Sequence, residues 1–89
     1  MLTKTLTIQN KLGLHARASA KLVKEAQRFA SIIKIQKANK TVNAKSIMAI
    51  MMLAASQGTE LDFSFDGADE DLALHQIETL LNNRFGEAE

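Results

Sequence analysis

The sequence predicts an α+β protein, an open-faced two-layer sandwich in which four mostly antiparallel strands carry three helices on one face. Three observations support this fold class. Apolar residues recur with period two in three short segments and with helical spacing in two longer ones. A further apolar run directly follows a serine, which is a common helix N-cap. These elements follow the order β-α-β-β-α-β-α without a linker-like stretch, so we expect residues 1–89 to form a single domain.

The first strand and first helix are predicted from a change in the spacing of apolar residues. Leucine and isoleucine alternate with threonine over residues 2–9, as in a half-buried strand. Asn10–Gly13 is predicted to be a turn in which Gly13 supplies a positive φ. From Ala16 to about Ala30 the apolar spacing becomes helical.

The middle of the chain predicts a hairpin and a second helix. Isoleucines alternate with polar residues over residues 33–36, and Ala38–Lys40 is a tight connection to a short strand at Thr41–Asn43. The second helix is expected over Ile47–Ala55, with Ser46 as its N-cap.

The last strand and helix complete the predicted order. Gly58 is expected to stop the second helix, and Leu61–Phe65 alternates as a strand. Acidic residues open the last helix at its positive end, beginning at Asp69. Its buried stripe is expected to comprise five residues, which are Leu74, Ile77, Leu80, Leu81 and Phe85.

Composition excludes several classes of function. The chain has no cysteine, and its two histidines, His15 and His75, lie far apart, so neither a disulfide nor a metal site is expected. A net charge of +1 without Trp or Tyr argues against nucleic-acid binding. Residues 1–10 lack the apolar run of a secretory signal, and the longest apolar run, Ile47–Ala55, is too short to cross a bilayer. We therefore expect a cytoplasmic protein that needs no cofactor.

The segment Gly13–Ser19 carries the strongest functional signal. It places His15 where a turn ends and a helix begins, next to backbone N–H groups that have no intrahelical partner and attract anions. Arg17 adds a guanidinium at a helix end that disfavours cations, which suggests an anion at this position. Two interpretations stay open at this point, because His15 could also be a simple polar capping residue.

Several motifs in register resemble the HPr family, the histidine-containing phosphocarriers of the bacterial phosphoenolpyruvate-dependent phosphotransferase system. The resemblance runs from Leu2 to Phe85 and includes the acidic start of the last helix. Its motifs are Gly13–Arg17, Lys45–Met48 and Gln57–Thr59. It implies an α+β phosphocarrier that acts as a phosphoryl-transfer intermediate rather than as a stand-alone enzyme.

The resemblance also implies roles for the residues around the helix start. His15 would accept a phosphoryl group from enzyme I and pass it to an IIA-type acceptor protein, while Arg17 neutralises the phosphoryl oxygens. The backbone N–H groups of Ala16 and Arg17 would share that role. Ala18 stands where the family commonly has proline, which leaves one more N–H near the site. The alternative is a mainly regulatory binding module, in which partners detect the phosphorylation state of His15 or Ser46.

Ser46 and the helix after it form the second expected site. Besides capping the helix, Ser46 matches a regulatory serine that HPr kinase/phosphorylase modifies in the family. The resemblance implies that four residues serve partner docking, namely Leu14, Ile47, Met48 and Met51. Lys21 and Lys24 belong to a basic stripe on the first helix that begins at the proposed site, so we expect them to attract acidic partner proteins. For the apolar ones the alternative is a place in the core, and for Lys21 and Lys24 it is an ordinary solvated helix face. We expect a monomer.

Overall fold

The computed structural model describes residues 1–89, and its elements follow the predicted order. A short 3-10 segment, Arg84–Gly86, comes after the last helix. The strands and helices are β1 (Leu2–Thr7), α1 (Ala16–Ala26), β2 (Ile32–Lys37), β3 (Lys40–Asn43), α2 (Ile47–Met51), β4 (Glu60–Asp66) and α3 (Glu70–Asn82).

The four strands form one sheet in the order β1-β4-β2-β3, and every neighbouring pair is antiparallel. β4 therefore lies inside the sheet, where Leu61 is paired with Leu6 of β1 and Phe63 with Ile35 of β2. Since all these side chains point to the same side, the register places them in one apolar layer. The predicted open antiparallel sandwich is confirmed.

The core lies between this apolar side of the sheet and the helices, in a cluster of 21 buried residues. In β2 the apolar and polar residues lie on opposite faces of the strand. Ile33 and Ile35 are fully buried, while Lys34 and Gln36 are exposed. α1 buries Leu22 and Ala26, which are spaced by one helical turn. None of the helices has the length and apolar character that a membrane span requires.

α1 ends earlier than the sequence predicts, at Ala26 instead of Ala30. The chain turns there because the backbone N–H groups of Ala30 and Ser31 donate to the carboxylate of Asp69, at 2.8 and 3.0 Å. The Ser31 hydroxyl also donates to Asp69 and is the largest cause of the lowered pKa of that carboxyl, followed by the bond from Ala30. Asp69 thus binds the segment after α1, and the acidic first turn of α3 begins at Glu70.

α2 is also shorter than predicted, because it stops at Met51 instead of Ala55. The N–H groups of Leu53 and Ala54 donate to carbonyls three residues back, at 3.1 and 3.2 Å, so the backbone tightens after the helix. Ala54 then adopts a left-handed conformation with φ of +51°, which ends any helical path.

Gly58 does not stop α2, contrary to our prediction. Its φ is +87°, and its N–H donates to the carbonyl of Ile8 at 2.8 Å. It therefore extends the pairing between the ends of β1 and β4.

The buried stripe of α3 matches the predicted one only in part. Ala73, Ile77 and Leu81 are buried, while Leu74 and Leu80 pack partly buried against the core. Phe85 is buried as predicted, but it lies beyond α3 in a segment that folds back over the start of α1. We call residues 83–89 the tail.

Candidate functional site

His15 is presented by a tight turn that packs against the loop after α2. Gly13 has a φ of +67°, and a Cβ built on it would overlap the Ala55 carbonyl and lie 2.8 Å from the Cα of Ser56. The next residue, Leu14, donates its N–H to the Ala55 carbonyl at 2.9 Å. Only glycine fits this close approach, and it fixes where His15 enters the helix.

His15 is the N-cap residue of α1, which confirms its predicted place at a helix start. Its carbonyl accepts from the N–H of Ser19 at 2.9 Å, whereas its ring makes no capping bond to the helix. The N–H groups of Ala16 and Arg17 precede the first intrahelical donor and stay available to an anion. Ala18 is wholly inaccessible to solvent, so its N–H, which the sequence suggested as a further phosphate ligand, lies out of reach of an external group.

The ring of His15 is held by a carboxylate from the tail. Its Nε2 lies 2.5 Å from Oε2 of Glu87, and the two side chains are 29% and 13% exposed. The other carboxylate oxygen of Glu87 accepts from Nδ2 of Asn10 at 2.9 Å. An ionised carboxylate can only accept, so the shared proton belongs to Nε2 and the unpartnered Nδ1 carries the lone pair.

Glu87 is kept ionised by its neighbours. The hydrogen bond from the Asn10 side chain lowers the pKa of Glu87 most, and His15 and Arg17 act in the same direction against an opposing effect of partial burial. Asn10 is fully buried and uses the same Nδ2 to donate to the carbonyl of Gly13 at 2.8 Å. Asn10 therefore joins the turn before His15 to the carboxylate that holds its ring.

The sequence does not predict the role of Glu87. It lies 72 positions from His15, beyond the last periodic element, so no local spacing relates the two residues. The only sequence signal for such a contact is Phe85, a large aromatic residue of the kind usually found in cores, which stands shortly before two acidic residues.

The tail is anchored firmly enough to position Glu87. Arg84 and Phe85 both have left-handed backbones, with φ of +54° and +55°, which costs about 1–2 kcal/mol for each non-glycine residue. The buried ring of Phe85 offsets this strain, and Nζ of Lys21 donates to the Phe85 carbonyl at 2.6 Å. Lys21, which we expected to contact partners, thus holds the tail in place.

An open cleft of about 390 Å³ lies between the tail and α1. Its charged lining residues are Lys11, Arg17, Lys21, Glu87 and Glu89. Lys11 pairs with Glu89 at 3.4 Å, and its N–H donates to the Glu89 carbonyl. Arg17 forms no salt bridge, so its exposed guanidinium is free to bind an anion beside His15.

Of the four apolar residues expected to serve docking, three lie on α2 and are exposed, and the fourth, Leu14, is buried before α1. Ile47, Met48 and Met51 are exposed, and Met48 is 69% accessible. Leu14 is only 5% accessible and belongs to the core, so it cannot be a docking residue; its position between Gly13 and the helix turns it inward. Met52, which the sequence analysis did not single out, is 70% exposed. We call Ile47, Met48, Met51 and Met52 the apolar patch.

Ser46 and Lys24 occupy the places that the sequence predicts. The hydroxyl of Ser46 accepts from the N–H of Ala49 at 3.4 Å, which confirms it as the N-cap of α2. Lys24 is exposed in the last turn of α1, where a cation complements the helix dipole.

Comparison with known proteins links this geometry to one family. Residues 2–83 match the family model PTS-HPr, described as the PTS HPr component phosphorylation site. The chain is 51% identical over 89 residues to the phosphocarrier protein HPr of Cupriavidus necator, with 100% of both chains covered. The crystal structure of HPr-C-His from Thermoanaerobacter tengcongensis matches with a TM-score of 0.96 at 46% identity, covering 100% of both chains. An HPr dimer from the same organism matches with a TM-score of 0.79 at 47% identity, covering 98% and 100% of the two chains, so the expected monomer stays a prediction.

Proposed function

This chain belongs to the HPr family of phosphocarrier proteins of the phosphotransferase system, and we propose that His15 is the residue on which it carries the phosphoryl group. One observation carries the proposal above all. The ring of His15 lies at the N-terminus of an 11-residue helix with Nε2 bonded to a carboxylate and Nδ1 unpartnered. A partly exposed imidazole with one free lone pair is a nucleophile that can approach a phosphorylated protein.

The transfer step follows from this arrangement. The lone pair on Nδ1 of His15 forms the new bond to phosphorus while the bond from phosphorus to enzyme I breaks, and that electron pair returns to the donor. The chain need only position the ring and neutralise charge, because phosphoryl transfer demands little covalent chemistry from the protein. We assign the neutralising role to the free guanidinium of Arg17 and to the first N–H groups of α1.

We further propose that the apolar patch binds enzyme I and the IIA-type acceptor proteins. α2, which carries the patch, packs on α1, the helix that starts at His15. Three of its four residues are methionines, whose flexible side chains fit partners of different shape. Exposed Lys24 would attract acidic surfaces on these partners.

We propose Ser46 as a regulatory phosphorylation site for HPr kinase/phosphorylase. It lies directly before the apolar patch, so a phosphate would add about −1.5 to −2 charges beside the docking surface. Ser46→Asp should slow phosphorylation by enzyme I, whereas Ser46→Ala should not. Aspartate also caps helices, so α2 is preserved in the acidic variant. Equal rates for the two variants would contradict a regulatory role for charge at this position.

The main test uses the two histidines of the chain. Incubation with enzyme I and phosphoenolpyruvate should attach one acid-labile, base-stable phosphoryl group to the native protein. His75→Ala is the matched control, because His75 is exposed on α3 and should not affect labelling. His15→Ala should take up no label. Equal labelling of His15→Ala would refute the assignment, and normal labelling without transfer to any IIA-type acceptor would favour the regulatory alternative.

A further inference from the structure

We propose that Glu87 is a positioning residue for phosphoryl transfer: its carboxylate holds the Nε2 proton of His15 and so keeps the phosphorylated ring a good leaving group. This inference rests on the proposed function of His15. It concerns the second half of the carrier cycle, in which the phosphoryl group leaves the ring.

The geometry that supports it is a three-residue chain of hydrogen bonds. Asn10 donates to one oxygen of Glu87 at 2.9 Å, and the other oxygen lies 2.5 Å from Nε2 of His15. Asn10 is fully buried, and the Glu87 side chain is only 13% exposed. A buried amide that orients a carboxylate, which in turn orients an imidazole, fixes both the tautomer and the direction of the ring.

The chemical consequence appears when the phosphoryl group departs. The acceptor's nucleophilic atom bonds to phosphorus, the bond from phosphorus to Nδ1 breaks, and its electron pair returns to Nδ1. If Nε2 carries a proton, the leaving group is a neutral imidazole. If Nε2 has lost that proton, the ring must leave as an imidazolate anion, which is a far poorer leaving group. A carboxylate on Nε2 favours the protonated ring and therefore extends transfer to higher pH.

Other charges around the pair do not replace this role. Arg17 lies close enough to Glu87 to lower the pKa of that carboxyl, and as a cation it cannot itself hold a proton on the ring. The remaining charged groups at the cleft are Lys11 and Lys21, which are cations, and Glu89. Since Glu89 pairs with Lys11, Glu87 is the carboxylate that contacts the ring.

The experiment compares the pH dependence of dephosphorylation in the full-length chain. The native protein, Glu87→Gln and Glu89→Gln are phosphorylated with enzyme I and phosphoenolpyruvate, isolated, and followed for loss of phosphate to water between pH 5 and pH 9. Glutamine keeps one oxygen that can accept from Nε2, but it replaces the other oxygen with an NH2 group, so it removes the charge and the acceptor that Asn10 uses. Glu89→Gln is the matched control, since it removes an equal charge from the tail without touching His15.

We expect Glu87→Gln to lose phosphate about tenfold more slowly than the native protein at pH 8, because the negative charge that favours a proton on Nε2 is gone. The two rates should converge toward pH 5, because the acidic solution then supplies the proton that the leaving ring needs. Glu89→Gln should follow the native profile throughout. Superimposable profiles for Glu87→Gln and the native protein would overturn the proposal. A second result would also overturn it: Glu87→Gln takes up phosphate faster than the native protein at every pH, and the pH dependence of its phosphate loss is unchanged. Glu87 would then only compete with the incoming phosphoryl group for the ring.

The outcomes for His15 and Glu87 are separable. If His15→Ala is not labelled and Glu87→Gln is labelled to the native extent with an unchanged profile, the proposed function stands and the role of Glu87 fails. If His15→Ala is labelled fully, the proposed function fails, and the role of Glu87 fails with it.

Discussion

Gly13→Ala should destabilise the protein by about 2–3 kcal/mol, with two separate causes. A left-handed alanine costs about 1 kcal/mol more than glycine. The added Cβ would also overlap the Ala55 carbonyl and come within 2.8 Å of the Cα of Ser56, so this loop must shift. The shift would break the hydrogen bond from Leu14 to Ala55, now 2.9 Å long, which is worth about 1 kcal/mol.

Gly58→Ala is the control that separates the two causes. Its φ is +87°, but a Cβ there would meet nothing within 4 Å, so only the conformational cost applies. With an m-value of about 1.5 kcal/mol per molar, the urea midpoint should fall by about 1.3–2 M for Gly13→Ala and by about 0.7 M for Gly58→Ala. Because Gly13 positions His15, only the Gly13 variant should also be phosphorylated more slowly. Equal midpoints for the two variants would refute the close-approach argument.

Three further outcomes follow from other contacts. Asp69→Asn should lower the urea midpoint at pH 7, and the difference from the native protein should vanish as pH falls through the lowered pKa of Asp69, because that carboxylate stabilises the fold only while ionised. Phe85→Ala should cost about 3 kcal/mol in a urea titration, since the ring is 1% exposed, and should release the tail; an unchanged His15 ring signal by NMR would contradict this anchoring. Lys4→Ala should cost less than about 1 kcal/mol although its Nζ lies 2.6 Å from Glu78, because the Lys4 side chain is 46% exposed.

The fold was largely predictable because the spacing of apolar residues within each short segment indicates whether it is a strand or a helix. The alternation in the first, second and fourth strands reports directly on one buried sheet face. The predicted bounds were wrong at the ends of α1 and α2, and for α1 a long-range contact follows the helix end. α1 stops at Ala26 because the chain after it turns so that the N–H groups of Ala30 and Ser31 bind Asp69. These two residues lie 39 and 38 positions before Asp69 in the sequence. No local pattern contains that information.

The candidate site likewise has a part that local sequence predicts and a part that depends on distant residues. Gly13, His15 and Arg17 are contiguous, so the sequence alone indicates a turn, a nucleophile and a cation at a helix start. Leu14 lies among them, and its apolar side chain gave no sign of whether it faced a partner or the core. Glu87 is a site residue only because the chain folds back after α3, and that return depends on the burial of Phe85.

These two parts of the site correspond to two properties of the carrier, namely uptake and release of the phosphoryl group, and a substitution in one part should leave the other property in place. Under the proposed function, the contiguous residues determine whether the ring can accept a phosphoryl group, since they would supply the nucleophile and the positive charge that an incoming phosphate requires. Under the proposals above, the tail acts through Nε2 while the phosphoryl group is carried on Nδ1, so the tail influences how readily the group leaves. A substitution in the tail should therefore change the pH range of transfer while uptake of the phosphoryl group continues, and a substitution at Arg17 should slow uptake at every pH.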